Sequence, residues 1–461
     1  MKSRSGPISA FSSFTYELLL DHGKRRLVLF VLVSVSGILA SAVPSSASTV
    51  GCAGASGGPF DFTSVTAALN APGALVNNTI TVSGTCTEFV LVAGAQNLQI
   101  IGNPGAVLVD PGGQFPPLGG VMEIDNSQGV VLQGLVIQMA ARTIDTAIPA
   151  ISVSSSDVRV VGCRLEGAGA SDGIDMFQAT VRLIGATVIE NNNDGQQDGE
   201  GVALFGPSSL LLLLSDSSGN CPVLQGNGDS GIFAGRGGTT VRAPLGRGCA
   251  TVQNNFVGIT GNLGPIIELN SLQSSPGSVK VINNLIGVLG QNGTHISING
   301  PVLIQGNAQD GIRLRGSSGG LNTSDGTAGP TIQGNGTTLN PICCAPNAGV
   351  SLTNNSSLDL TGGQLMGNAA PGVIVQDNSS VRLIGPVSIT NNPIGLEVTD
   401  VSSAALFVAP SISGNSSVDV VCGPSAVAHG DLSAVGKMNC PQFRPQLNAV
   451  TPPPRNRKAI P

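Results

Sequence analysis

Residues able to do acid–base chemistry are few in this chain and gather in one stretch. Ser171-Asp172-Gly173-Ile174-Asp175 is followed by Asp194, Asp198 and Glu200. Cleaving a glycosidic bond takes two carboxyls, one giving a proton to the leaving oxygen and one acting as base or nucleophile. The same oxygens are the ligand type that Ca²⁺ takes, and no other cofactor is expected. Phe177, Phe205 and Phe233 stand among these acids, where aromatic rings could stack on sugar faces. A second candidate is Arg313 with Arg315, near Asp310 and Lys280: two arginines pointing out of one strand could grip a carboxylate or sulfate. Arg236, Arg242 and Arg247 form a looser cationic group. In the competing reading the phenylalanines pack under a loop, the acids occupy solvated Asp-Gly turns and the arginines are a solvated face.

These residues must be positioned by a repeat, because a glycine followed by a branched aliphatic residue recurs through the chain. It is found at Gly173-Ile174, Gly201-Val202, Gly231-Ile232, Gly258-Ile259, Gly287-Val288, Gly311-Ile312, Gly349-Val350, Gly372-Val373 and Gly395-Leu396. Intervals of 23 to 38 residues fall in the range of stacked repeat architectures. Within a repeat, as in Gly385 to Val398, short alternating runs are separated by Asn/Gly corners and no helical period fits. Such strands need neighbours to bury their apolar faces, and coil stacked on coil makes parallel sheets around a continuous interior. The expectation is an all-β, single-stranded parallel β-helix. The residue after each glycine and the one two further on should point inward, and Asp175/Phe177, Ala203/Phe205 and Arg313/Arg315 outward. Asn192, Asn227, Asn255, Asn284, Asn307, Asn335, Asn368, Asn392 and Asn415 recur near corners, where asparagine tolerates left-handed backbone and can bond neighbouring amides.

With 10% charged residues, 64 glycines, one tyrosine, no tryptophan and a net charge of −6, the chain lacks both the basic footprint and the aromatic supply of a nucleic-acid binder. Lys24-Arg25-Arg26 before the apolar run Leu27–Ala40, then Ala40-Ser41-Ala42 and Ser45-Ser46-Ala47, read as a signal peptide over residues 1–47, cleaved near Ala42 or Ala47. A secreted or cell-surface protein without a membrane segment follows, in a compartment that permits disulfides. Spacing makes Cys52 with Cys86, Cys221 with Cys249 and Cys422 with Cys440 plausible pairs, though other connectivities stay open; Cys163 and Cys343-Cys344 are left over. The helix domain should span 48–441. A cap over about 52–75 includes one short helix, with Asp61 as N-cap and Phe60 stapled on Val65. An insertion is expected over about 316–347, and 442–461 reads as a disordered, proline-rich tail.

On these features the chain resembles the right-handed parallel β-helix proteins of the pectate-lyase-like superfamily, with their PbH1-type repeats, over roughly residues 50 to 441. Ile80 to Glu88 is similar to the first coil of many exported bacterial members. That superfamily holds polysaccharide lyases, hydrolases, epimerases, tailspikes and adhesins. Ser171 to Asp175 resembles the Asn-Thr-Asp-Gly-Ile-Asp stretch of polygalacturonase-type hydrolases. Where those carry an adjacent Asp pair this chain has Asp194-Gly195, and it lacks their Gly-His-Gly and Arg-Ile-Lys motifs. Nor does it contain the Asp-Pro-His-Asp of the alginate epimerases. The expected role is a rigid extracellular scaffold, structural, adhesive or glycan-contacting, with a polysaccharide or cell-surface glycan as partner. The alternative is a polysaccharide lyase or glycoside hydrolase using the acids of the early coils.

Overall fold

The computed structural model describes residues 46–112, 119–140, 148–167, 171–193, 199–272, 278–323, 328–338, 347–441 and 444–445. The expected signal peptide up to residue 45, Asp194, Asp198, Cys343, Cys344 and nearly all of the tail lie outside them. The described strands form three parallel sheets of 16, 14 and 13 strands, here the first, second and third. One coil takes its strands from each sheet in turn, as in Val188–Glu190 (third), Val202–Phe205 (second) and Leu210–Leu214 (first). Every pairing is to the equivalent strand of the coil before or after, which defines a single-stranded parallel β-helix, right-handed as parallel crossovers are.

The glycine repeat supplies the second sheet, and its register follows from the inward columns. Ile174, Val202, Ile232, Ile259, Val288, Ile312, Val350, Val373 and Leu396 are direct partners from coil to coil, and all are buried. Each such side chain stabilises the stack by about 1.5–3 kcal/mol. A shift of one residue would turn the whole column to solvent, so the register is strongly specified.

Why glycine precedes each of them is a matter of space. A Cβ on any of the nine would lie within 2.8 Å of a carbonyl oxygen of the next coil. It would also lie within 3.2 Å of the amide nitrogen of the following corner asparagine. Those nine asparagines are buried and form one continuous ladder. From Asn192 to Asn392, each Nδ2 donates to Oδ1 of the next at 2.7–3.1 Å. Asn415 ends the ladder on Asp419 Oδ1 at 2.7 Å. The left-handed residue at this corner is not the ladder asparagine but the one before it: Asn191, Gly226, Asn254, Asn283, Gly306, Gly334, Gly367, Asn391 and Gly414 all have φ between 55° and 72°. The ladder residue is thereby released to bond along the axis. A second ladder, absent from the sequence reading, runs through the Ser317, Ser356, Ser379 and Ser402 corners, the hydroxyls of Ser356, Ser379 and Ser402 each accepting the backbone N–H of the preceding serine.

The N-terminal end is covered by a short helix, Val65–Leu69, with Val65, Ala68 and Leu69 buried. Its N-cap is Ser64, whose hydroxyl accepts from Ala67 N at 3.1 Å, rather than Asp61. Asp61 is drawn instead to the strand Ser46–Gly51, where it accepts from Thr49 N and Oγ1, and Phe60 lies over Gly51 rather than stapling Val65. The free helix N–H groups of Val65 and Thr66 go to the Glu88 carboxylate. Disulfides join Cys52–Cys86, Cys221–Cys249 and Cys422–Cys440, and Cys163 is a buried thiol. The region expected as an insertion carries two ordinary coil strands, Ser318–Asn322 and Thr331–Gln333.

Candidate active site

Asp172 and Glu200 each directly precede a repeat glycine, so stacking places them at the same corner on adjacent coils. The backbone fixes the pair: Gly173 N donates to Glu200 O at 2.9 Å, and Glu200 N donates to Asp172 Oδ1 at 2.6 Å. Asp175 leaves the strand Ile174–Phe177 on its outward side, and its carboxyl, like that of Glu200, interacts with the carboxyl of Asp172. Three carboxyls thus meet, and Asp229, from the next coil, adds its charge to Glu200.

Such a group cannot stay fully ionised. Burial first, and then the charge and hydrogen bond of Asp172, push the Asp175 carboxyl well above the usual carboxylate range. Burial likewise raises Glu200, with the Asp172 hydrogen bond and the Asp172, Asp229 and Asp175 charges acting in the same sense. Both carboxyls therefore keep their protons to higher pH than an ordinary carboxyl does. Asp175 Oδ1 and the Ser171 hydroxyl are buried with no hydrogen-bond partner among the described residues, so the corner has unspent polar capacity. Its donors are all oxygens, the type Ca²⁺ takes, but two of the carboxyls must first give up a proton.

Beside the acids lies an aromatic shelf. Phe177 and Phe205 are register partners, outward and 49% and 39% exposed, the reverse of rings packed under a loop. Phe233 occupies the neighbouring outward column, two coils on from Asp175 with only Ala203 between them. The Phe205 and Phe233 rings are 5.8 Å apart and inclined at 50°. Phe177 leans across Gly206, where a Cβ would touch its ring at 2.8 Å.

The second candidate is different from its expectation. Arg315 is exposed, but Arg313 is 7% exposed and paired with fully buried Asp310, while its second nitrogen donates to Gln309 Oε1 at 3.1 Å. Asp310, raised to about 6 by burial against the opposing pull of Arg313, also accepts from Ala348 N at 2.8 Å. The cause is that the outward side of the second sheet is covered here: Leu289, Ser351 and Ile374 of the same column are buried too. Lys280 is on the third sheet, away from this pair. Arg242 pairs with Glu268 in a groove of about 300 Å³ on the first sheet, remote from the acids. Arg247 donates to Ser215 O, and Arg236 is exposed at the turn after Gly235.

Sequence reasoning named Asp172, Asp175 and Glu200, which the fold brings together, and missed Asp229. The available signal was position: Asp229 stands two residues before its repeat glycine, at the corner that holds Glu200 one coil earlier.

No family model matches this sequence, and no curated protein matches it. Solved structures do. The A-module of Azotobacter vinelandii mannuronan C-5 epimerase AlgE6 is 13% identical, with 78% of this chain and 92% of that one covered and a TM-score of 0.39. The periplasmic alginate epimerase AlgG is 14% identical over 68% of this chain and 76% of that one, TM-score 0.35. The catalytic domain of an α-1,3-glucanase in complex with tetrasaccharides is 13% identical over 80% and 63%, TM-score 0.28. The common element is the parallel β-helix. At these identities the likeness is one of fold, and the function has to be argued from the site.

Proposed function

We propose that this protein is an exported carbohydrate-active enzyme that cleaves glycosidic bonds at the Asp172/Asp175/Glu200 corner. The observation that carries the reading is the convergence of three half-buried carboxyls beside two exposed aromatic rings. A scaffold needs only a regular surface, and burying like charges side by side lowers its stability with nothing in return. A proton-transfer site needs this arrangement, because acids held protonated at neutral pH can donate to a leaving oxygen. Asp175, in the outward column, is the proton donor. Asp172, its orientation set by the Glu200 amide, acts on the water or on the anomeric carbon; Glu200 holds the second proton of the cluster. Three disulfides favour an oxidising compartment, in keeping with export.

The test is turnover of neutral, uronate and sulfated polysaccharides by the mature protein, with and without Ca²⁺, beside Asp172→Asn and Asp175→Asn. Activity in the wild type that is lost in folded variants supports the proposal. No turnover on any substrate overturns it and leaves the scaffold, whose rigidity the nine-residue asparagine ladder would supply.

A further inference from the structure

The reading above leaves the substrate open, and the charges around the shelf narrow it. We infer that the glycan is neutral, that it lies along the helix axis over Phe177, Phe205 and Phe233, and that the reaction is hydrolysis. This rests on the proposed enzyme activity and goes further by fixing the class of sugar.

Two routes that β-helix corners could offer, β-elimination and C5 epimerisation, both remove a proton next to a sugar carboxylate. That carboxylate must be held and neutralised by a cation. Among the described residues, the charged groups that act on one another at the reacting corner are Asp172, Asp175, Glu200 and Asp229, all carboxyls. The arginine of the adjoining third-sheet face, Arg164, is committed to Glu166 and Glu190. A uronate brought to Asp175 would add a negative charge to a corner that already keeps two protons to limit its own repulsion. A neutral sugar meets no such penalty, and it uses what the surface does provide. Phe177 and Phe205 are register partners on adjacent coils, about 4.8 Å apart along the axis. That pitch is close to the length one pyranose adds to a chain, so successive sugars can set their C–H faces on successive rings. Ala203, between Asp175 and Phe233 in this column, is itself buried, so the surface offered to a sugar is that of the exposed Phe177 and Phe205.

In the reaction the C1–O bond of the glycoside breaks and the Asp175 proton passes to the leaving oxygen. The oxygen of a water molecule bonds to C1, and the proton it releases goes to Asp172. Arg236, exposed at the turn that follows the strand carrying Phe233, serves as the control.

Binding is measured by calorimetry on the Asp172→Asn variant, so that turnover does not interfere. Probes are glucose, xylose and mannose hexasaccharides against galacturonate and mannuronate hexasaccharides, each in Ca²⁺ and in EDTA. The expectation is that a neutral probe binds best, that Phe177→Ala and Phe205→Ala each weaken it about ten-fold, and that Arg236→Ala changes nothing. Tighter binding of a uronate, loss of binding in Arg236→Ala, indifference to both phenylalanines, or no binding of any neutral probe overturns the inference. The two levels separate cleanly. Cleavage of a uronate polymer would refute the neutral substrate and keep the enzyme, whereas phenylalanine-dependent binding without any turnover would refute the enzyme and keep the shelf.

Discussion

If Asp175 and Glu200 are stored as protonated acids, the folded protein is working against them as the pH rises. Their folded values lie above the ordinary carboxyl range, so from about pH 4 upward the unfolded chain has released protons that the folded chain still holds. With fewer protons on the unfolded state, stability falls with increasing pH, and it goes on falling until the folded carboxyls themselves ionise. Each pH unit spent in that window removes about 1.4 kcal/mol per group, so from pH 5 to pH 7 one such carboxyl withdraws nearly 3 kcal/mol. The titrations are coupled through Asp172, which spreads this loss over the cluster. Replacing Asp175 by Asn keeps a donor for Asp172 and removes the titration. Asp175→Asn should therefore stabilise the protein by about 1–3 kcal/mol at pH 7, by little at pH 4.5, and flatten the pH dependence between them, as should Glu200→Gln. Urea unfolding midpoints followed by circular dichroism at pH 4.5, 6, 7 and 8 read this directly. A variant less stable than wild type at pH 7, or an unchanged slope with pH, would refute the claim that these carboxyls are held protonated. Gain of stability with loss of turnover in one substitution is what a functional strain predicts and a structural role does not.

Three further outcomes follow from the same geometry. Asn307→Ala removes the acceptor of Asn284 N and Nδ2 and the donor to Asn335 Oδ1 in a buried position, and should lower stability by about 2–4 kcal/mol in urea melts. Gly258→Ala sets a methyl 2.5 Å from Gly287 O and 2.6 Å from Val281 Cγ1, and should abolish soluble folded protein; Gly367→Ala, at φ 60° with open space around it, should lose only about 1 kcal/mol. Arg313→Met leaves Asp310 buried without its cation and should destabilise by about 3–5 kcal/mol, while Arg313→Met with Asp310→Asn should recover much of the loss, as a double-mutant cycle would show.

The coil register was legible because two unrelated demands coincide on neighbouring positions. The aliphatic residue must face inward, and the residue before it must be small enough for the next coil's carbonyl and the asparagine amide. Few sequences satisfy both by chance at nine corners. The acid corner was legible for the same reason, since Asp172 and Glu200 share the position before the glycine and so must stack. What could not be read came from contacts that no spacing encodes. Arg313 occupies an outward position, yet Asp310 and the cover over this part of the sheet bury it. Asp61 has the sequence context of a helix cap, yet Thr49 of the preceding strand competes for it more effectively and the cap passes to Ser64. The serine ladder escaped notice because its hydroxyls accept from backbone amides, and serine is common enough in turns to hide a column.

The most direct test of the account is a crystal structure of the Asp175→Asn variant with a neutral oligosaccharide that the wild-type protein cleaves. The account predicts sugars lying along the axis on Phe177 and Phe205, with a glycosidic oxygen against the side chain at position 175 and the anomeric carbon facing Asp172. An oligosaccharide seated on another face of the helix, or one whose bonds stay away from these carboxyls, would contradict it.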